Sequence, residues 1–252
     1  VIGLGEAGGR YAAALANHGH EVTGVDPADN PTPDGVRRVR SMEEAVADAE
    51  FVLVMTGAAA SPSIAKATAP YLLPRTCYAD FTSSAPAVME QLARIIEETG
   101  ASFADVAILG PVTWHGAQTP LMASGSGAKT VNDLMSALGA KVELLDAPAG
   151  AAMAHKLLRS IFMKGLASII WEAVEASRAA GYEQWAREQI ASQLAGDGHA
   201  VIDRLLSGTK LHAERRSQEM KDTAAYLESM GVTPVMTRAT QGSLQQIAAT
   251  SR

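Results

Sequence analysis

The stretch Val1-Ile2-Gly3-Leu4-Gly5-Glu6-Ala7-Gly8-Gly9-Arg10 opens the chain and decides how the rest is read. Gly3, Gly5 and Gly8 have the spacing G-x-G-x-x-G, directly after an apolar pair that reads as the end of a β-strand. Tyr11, Leu15 and the alanines between them then form a slim helical face. Each glycine has its own reason in such a turn. Gly3 permits the sharp passage from strand to helix, Gly5 lets a diphosphate approach the backbone, and Gly8 lets the helix press onto the strand. The free N–H groups and the positive dipole end of the helix then face the diphosphate. Glycine-rich turns are common, so the motif needs its context. That context is Glu21-Val22-Thr23-Gly24-Val25-Asp26, a second strand closed by a carboxylate. It falls at the offset of about 20 residues expected for an acid that binds a ribose. The pattern predicts a dinucleotide site built from Gly3, Leu4, Gly5, Glu6, Ala7, Gly8 and Asp26, joined by Thr56-Gly57 at the end of a later strand.

Composition narrows the class. The 252 residues are enough for two domains, and with 5% aromatics the core must be built from Ala, Val, Leu, Ile and Met. A net charge of −6 argues against a nucleic-acid partner. The single cysteine, Cys77, excludes an internal disulfide and suits a reducing, cytoplasmic setting. No apolar run approaches the ~20 residues of a membrane span, so no membrane partner is expected. No cluster has metal-ligand spacing, and metal-free chemistry is expected. The chain opens in mid-strand without an initiator methionine or signal peptide, so a few residues of the first strand are expected to precede Val1.

Taken in order, the first part alternates strand and helix patterns. Ser41, with Glu44 three residues on, is a capping-box signature for a helix over 42–49. Phe51-Val52-Leu53-Val54-Met55, ending at Thr56-Gly57, reads as a buried parallel strand. Further strands are expected at 76–81, 102–109, 121–123 and 141–145, with a helix opened by Pro86. Near Pro148 the organisation changes, and only helical periodicity follows. Met153, Leu157, Ile161, Phe162, Leu166, Ile169, Ile170 and Val174 trace a broad apolar stripe. Unbroken over 150–180, that helix would be ~45 Å long, too long and apolar for a surface helix. Shorter helices are expected at 183–196, 199–206, 210–229 and 237–249, with Gly208 among the breaks. The fold class is α/β: an N-terminal doubly wound parallel sheet of Rossmann type over 1–148, then an all-α domain over 149–252. The apolar stripe predicts a homodimer joined through the second domain.

Two further segments carry a family resemblance. Asp80-Phe81-Thr82-Ser83-Ser84-Ala85-Pro86 resembles the D-x-S-T-x-x-P loop of the β-hydroxyacid dehydrogenases, the superfamily of 3-hydroxyisobutyrate and 6-phosphogluconate dehydrogenases. Gly150-Ala151-Ala152-Met153-Ala154-His155-Lys156 resembles that family's G-x-G-x-x-x-K helix start, and 212–236 is similar to a phosphogluconate-dehydrogenase-like subgroup of poorly defined substrate. The resemblance implies an NAD(P)-dependent dehydrogenase or reductase acting on a small hydroxy acid or related alcohol. Lys156 would be its catalytic lysine, with Thr82 and Ser83 binding the substrate beside the nicotinamide and Thr82 also contacting the cofactor. Hydride transfer to or from a carbinol carbon needs a proton moved at the same centre, and desolvation, which disfavours an ammonium, equips a lysine for that. Ser160 lies one helical turn beyond Lys156 on the same face. Lys164, one turn further, either reaches the same cleft or snorkels at the surface.

The chain also departs from the family. Where the family reads D-A-P-V-S-G-G, this sequence has Asp105-Val106-Ala107-Ile108-Leu109-Gly110-Pro111, without the serine hydroxyl and with one amide removed by proline. Gly110 keeps its place in the substrate loop, and Trp114 and His115 follow at its expected mouth. His212, Arg215, Arg216 and Glu219 share one helical face, which either supplies cations for an anionic small-molecule substrate or is an exposed ion-pair face. Asp26 predicts NAD as cofactor, with NADP possible because Arg37, Arg38 and Arg40 lie downstream. Two alternatives stay open: an imine reductase, or a dinucleotide-binding sensor or scaffold without turnover.

Overall fold

The computed structural model describes residues 1–250, and the chain divides into two compact units, Val1–Arg159 and Ser160–Arg252. In the first unit, α1 (Glu6–Asn17) follows the glycine turn, then come β1 (Val22–Gly24), β2 (Val36–Arg38), α2 (Met42–Val46) and β3 (Phe51–Val54). They are followed by α3 (Ser61–Thr68), β4 (Cys77–Asp80), α4 (Pro86–Glu97), β5 (Ser102–Ile108), α5 (Val112–His115), β6 (Leu121–Ser124), α6 (Ala128–Ala137) and β7 (Val142–Leu144). The β1–β2 pair is parallel. Ile2 bridges in parallel to Val25 on one side and Val54 on the other, so the opening residues join that pair to the sheet β3-β4-β5-β6-β7. The strand order therefore reverses on either side of Ile2, which places a ligand crevice at the carboxyl ends of the strands there.

The sheet is covered on both faces, as its continuous apolar strands require. One core cluster packs Tyr11 and Leu15 of α1 and Val131 and Met135 of α6 against Leu53, Ala79 and Val106. The other packs Val46, Ile64, Leu92 and Ile96 against Val52, Val54, Tyr78 and Phe103. Ser41 caps α2 by accepting a hydrogen bond from Glu44 N at 3.1 Å. The strands are not all parallel: β6 pairs with β5 antiparallel, and β7 follows β6. Between Ile108 and Leu121 stand only the one-turn α5 and a 3₁₀ turn, Gly116–Gln118. With no long crossover, the chain turns back at the same end of the sheet.

The long helix is continuous, α7, Ala151–Ala179. Its first turn belongs to the first unit, because Ala152 and Met153 are fully buried in the second core cluster. The compact unit thus runs past the expected boundary at 148, to Arg159. The second unit continues with α8 (Glu183–Leu194), α9 (Gly198–Ser229) and α10 (Val235–Thr250). The break expected at Gly208 is instead a single non-helical residue, His212, at φ −120° and ψ 19°. Gly208 stays helical, and the Arg216 side chain lies over it and donates to Thr209 Oγ1 at 3.0 Å. Glu172 of α7 ties α10 in place by accepting from Met236 N and Thr237 N, at 2.6 and 2.7 Å. No described helix is long and apolar enough to cross a membrane.

Candidate functional site

The glycine turn shows which of its glycines the protein itself requires. Gly3 has φ +92°, and a Cβ there would lie 2.5 Å from Met55 O; a Cβ on Gly8 would lie 1.9 Å from Gly3 O. Both are dictated by backbone packing. Gly5 differs, because a Cβ there would meet nothing within 4 Å. It is also the N-cap of α1, and no side chain caps that helix end. Open space in front of uncapped amides is what a diphosphate needs, so these residues fit a dinucleotide. Thr56 and Gly57 follow β3 on the other side of the crevice, and Gly57 also has open space at its Cα.

Asp26 stands just past the end of β1 and is already engaged. Its Oδ2 accepts from Leu4 N at 2.6 Å and Asn30 Nδ2 at 2.9 Å, and its Oδ1 from Ala28 N at 2.8 Å. Burial works to raise this carboxyl, but those donors and the nearby Arg38 charge hold it below the ordinary carboxylate value. Asp26 therefore keeps its negative charge and ties the glycine turn to the strand beside it. Arg38 donates to the carbonyls of Asp26 and Asn30, and Arg37 pairs with Glu44 at 2.9 Å.

The second half of the site lies at the end of β4. Asp80 Oδ1 accepts from Thr82 N at 2.8 Å, and Ser61 Oγ donates to its Oδ2. Thr82 and Ser84 are buried and share a hydrogen bond of 2.8 Å, whereas Ser83 between them is exposed. Onto that serine comes Lys156, whose Nζ donates to Ser83 Oγ at 3.0 Å. The contact joins residues 73 positions apart.

Against this geometry, similarity to known proteins is informative. The family described as the NAD binding domain of 6-phosphogluconate dehydrogenase matches residues 1–146, and a domain of unknown function, DUF1932, matches 177–247. The chain belongs to the first of these families. It is a dinucleotide-dependent oxidoreductase of the 6-phosphogluconate dehydrogenase-like hydroxyacid dehydrogenase superfamily, with NAD(P) as cofactor. An uncharacterized 28.5 kDa protein of Methanothermus fervidus is 22% identical over 84% of this chain and 82% of its own. Among solved structures, a conserved hypothetical protein from Sinorhizobium meliloti is 26% identical, with TM-score 0.63 over 97% of this chain and 86% of that one. A protein of unknown function, MTH1747, described as similar to 3-hydroxyacid dehydrogenases, is 26% identical, with TM-score 0.65 over 98% of this chain and 95% of that one. An imine reductase from Myxococcus stipitatus, in complex with NAD⁺, shares the fold at TM-score 0.81 and 17% identity, over 99% of this chain and 92% of that one.

The remaining expected site residues fall in both units of the chain. Gly110 is half-buried after β5, and His115 is exposed at the end of α5. α5 is held in place by Val112, buried in the same cluster as Tyr11 of α1, and leaves Trp114 82% exposed. Ser160 is half-buried and Lys164 exposed along α7. His212 is exposed at the break in α9, and Arg215 pairs with Glu219 one turn away. Asp105, which opens the substrate-loop segment quoted above without a role of its own, and Ser124 are both fully buried, and Asp105 is the register partner of Asp80 across the sheet. The signal was there: a carboxylate inside the apolar run Phe103–Ile108 has no place in a buried strand unless it is paired.

Proposed function

We propose that the protein moves a hydride between NAD and the carbinol carbon of a small hydroxy acid or related alcohol, with Lys156 as general acid/base. The observation that carries the reading is the 3.0 Å hydrogen bond from Lys156 Nζ to Ser83 Oγ, at the end of the strand beside the crevice. The nicotinamide, when bound, supplies or accepts the hydride. The chain's own residues do the rest. The uncapped α1 amides and Gly5 hold the diphosphate, and Asp26 accepts from the ribose and repels a 2′-phosphate. Arg38 and Arg37 are committed to loop carbonyls and Glu44, which favours NAD over NADP. Ser83, facing outward, holds the substrate oxygen within reach of Lys156 Nζ. As the neutral amine, Lys156 takes the hydroxyl proton while the carbinol hydride leaves and the alcohol becomes a carbonyl; as the ammonium, it returns that proton in the reverse direction.

Gly110, His115, Ser160, Lys164, His212 and Arg215 complete our assignment of substrate contacts, for a substrate that is anionic. We also place the working protein in the cytoplasm, in keeping with its single cysteine, and as a homodimer, because Ile161 and Phe162 of the single chain are 73% and 63% exposed. Imine reduction is the competing reading, since a reductase so named shares the fold; a lysine that serves an oxygen speaks against it. Leu109 and Pro111 in the substrate loop are what support a binding protein without turnover. Cofactor absorbance separates the three. A panel of small 3-hydroxy acids with NAD⁺, their aldehydes with NADH, and cyclic imines with NADH should turn over only in the first two arms, with NADH bound more tightly than NADPH. Turnover of imines alone, or of nothing despite cofactor binding, would overturn the assignment.

A further inference from the structure

The lysine–serine contact is only as good as the placement of its two backbones, and the start of the lysine helix is placed in an unusual way. The first amides of a helix have no partners within it, and the residue just before it ordinarily supplies a cap. Here that residue is Gly150, which has no side chain. Its φ is +97°, and a Cβ would lie 2.9 Å from Pro86 O, the first residue of α4. The cap comes instead from the sheet. Asp105 Oδ2 accepts from Gly150 N at 2.9 Å and from Met153 N at 3.1 Å. Ser124 Oγ donates to the same oxygen at 3.2 Å and accepts from Ala152 N at 3.0 Å. Ala151 N reaches Pro148 O at 3.3 Å, so all four leading amides of α7 are held.

The device is expensive, which is a reason to look for a return on it. Asp105 is fully buried, and its Oδ1 has no partner among the described residues. Burial pushes its carboxyl up, as does the charge of Asp80 beside it, against the three donors on Oδ2. An apolar side chain in β5 would avoid that cost. What it could not do is pin the amide of Met153, three residues before Lys156, to the strand next to the one that ends in Asp80. Asp80 in turn fixes the Thr82 amide, one residue before Ser83. The two ends of the contact are thus anchored on register partners, Asp80 and Asp105, of adjacent parallel strands.

We propose that Asp105, with Ser124 as its aid, is a positioning residue for Lys156: it sets the height and rotation of the lysine helix on the sheet and so the reach of Nζ to Ser83. The proposal rests on the reading of Lys156 as the proton carrier. A lysine stem is flexible, but a displaced backbone changes which conformers reach the substrate oxygen, and ~1 Å of misplacement can cost about 10²-fold in rate.

Two substitutions separate position from mere presence. Asp105→Asn keeps one oxygen for all three donors and puts its amide group where Oδ1 has no partner. Asp105→Ala releases the helix. For the best substrate of the panel above, Asp105→Ala should lower kcat about 10²-fold while the KM and Kd for NADH stay near wild type. Asp105→Asn should restore most of kcat. Hydrogen exchange of the segment 148–158, followed by mass spectrometry, should accelerate in the Ala variant and not in the Asn variant. If Asp105→Ala does not fold, Ser124→Ala, which releases Ala152 N, should show the same pattern more weakly. Faster exchange with an unchanged kcat would overturn the positioning role. So would an Asn variant as impaired as the Ala variant with wild-type exchange. Lys156→Met is the control: if it destroys turnover while Asp105→Ala does not, the positioning role alone fails. If Lys156→Met keeps turnover, the lysine reading fails and the positioning role with it.

Discussion

The two units of this chain bury their apolar residues to very different degrees. In the first, both core clusters close completely, and every member of them lies at or before Met153. In the second, the buried apolar set is slight: Val174, Ala176, Ala186, Ala213, Ala224, Leu227 and Leu244. Leucines, isoleucines and aromatics along α7, α8 and the start of α9 stay exposed, and a cavity of about 400 Å³ remains among Tyr182, Trp185, Met220, Tyr226 and Met236. The first unit has a core sufficient for itself. The second leaves large apolar side chains exposed in the single chain, which is what supports the proposed second copy.

That contrast can be broken most directly by crowding the closed unit. Gly8→Ala sets a Cβ 1.9 Å from a backbone oxygen, and overpacking of this kind costs about 3 kcal/mol or more when no side chain can yield. The variant should melt far lower and lose NADH binding. Wild-type melting and affinity in the Gly8→Ala variant would show that the glycine turn is looser than its geometry.

The open unit should respond in the opposite sense. A double change, Ile161→Lys with Phe162→Lys, places charge on an exposed stripe, so the folding of one chain should hardly suffer. Its effect should appear in assembly. We expect the wild type to sediment as a dimer through an interface above ~2,000 Å², and the variant as a folded monomer. A wild type that is monomeric at micromolar concentration would remove the explanation for the exposed stripe.

A smaller effect comes from the buried aspartates. Asp80 and Asp105 both have carboxyls raised above the ordinary value of 3.8, chiefly by burial. A raised carboxyl contributes stability that is fully present below its unfolded pKa and lost as pH rises through its folded pKa. Asp105→Asn removes one such group. Its melting temperature relative to wild type should therefore climb as pH rises from about 4. A difference that is flat or falls with pH would show that Asp105 is not held in this way.

The contrast between the units also governs what the sequence made legible. The glycine turn, the Asp26 strand end, the Ser41 cap and the full length of α7 follow from local patterns, and the fold repeats them. The reversal at β6 did not show, because an apolar run such as Leu121–Ser124 carries no direction. Intrinsic propensity is lowest at Gly208 and points to a break in α9 there. The break sits at His212 instead, while Gly208 is kept helical under Arg216. Of the candidate site, Ser83 and Lys156, which share a hydrogen bond, stand in motifs that single them out in the sequence. The cap on α7 does not, since its partners are 45 and 48 residues away. Long-range hydrogen bonds leave no spacing to read.

Whether Lys156 moves the proton while the glycine turn and Asp26 hold the cofactor is tested by Lys156→Met beside Lys164→Met, with pre-steady-state hydride transfer and NADH affinity measured on both. Lys156→Met should lower the transfer rate about 10²–10⁴-fold with unchanged NADH affinity, and Lys164→Met should show a smaller loss that appears in substrate KM. Hydride transfer near the wild-type rate in Lys156→Met, or its abolition in Lys164→Met alone, would contradict that role for Lys156.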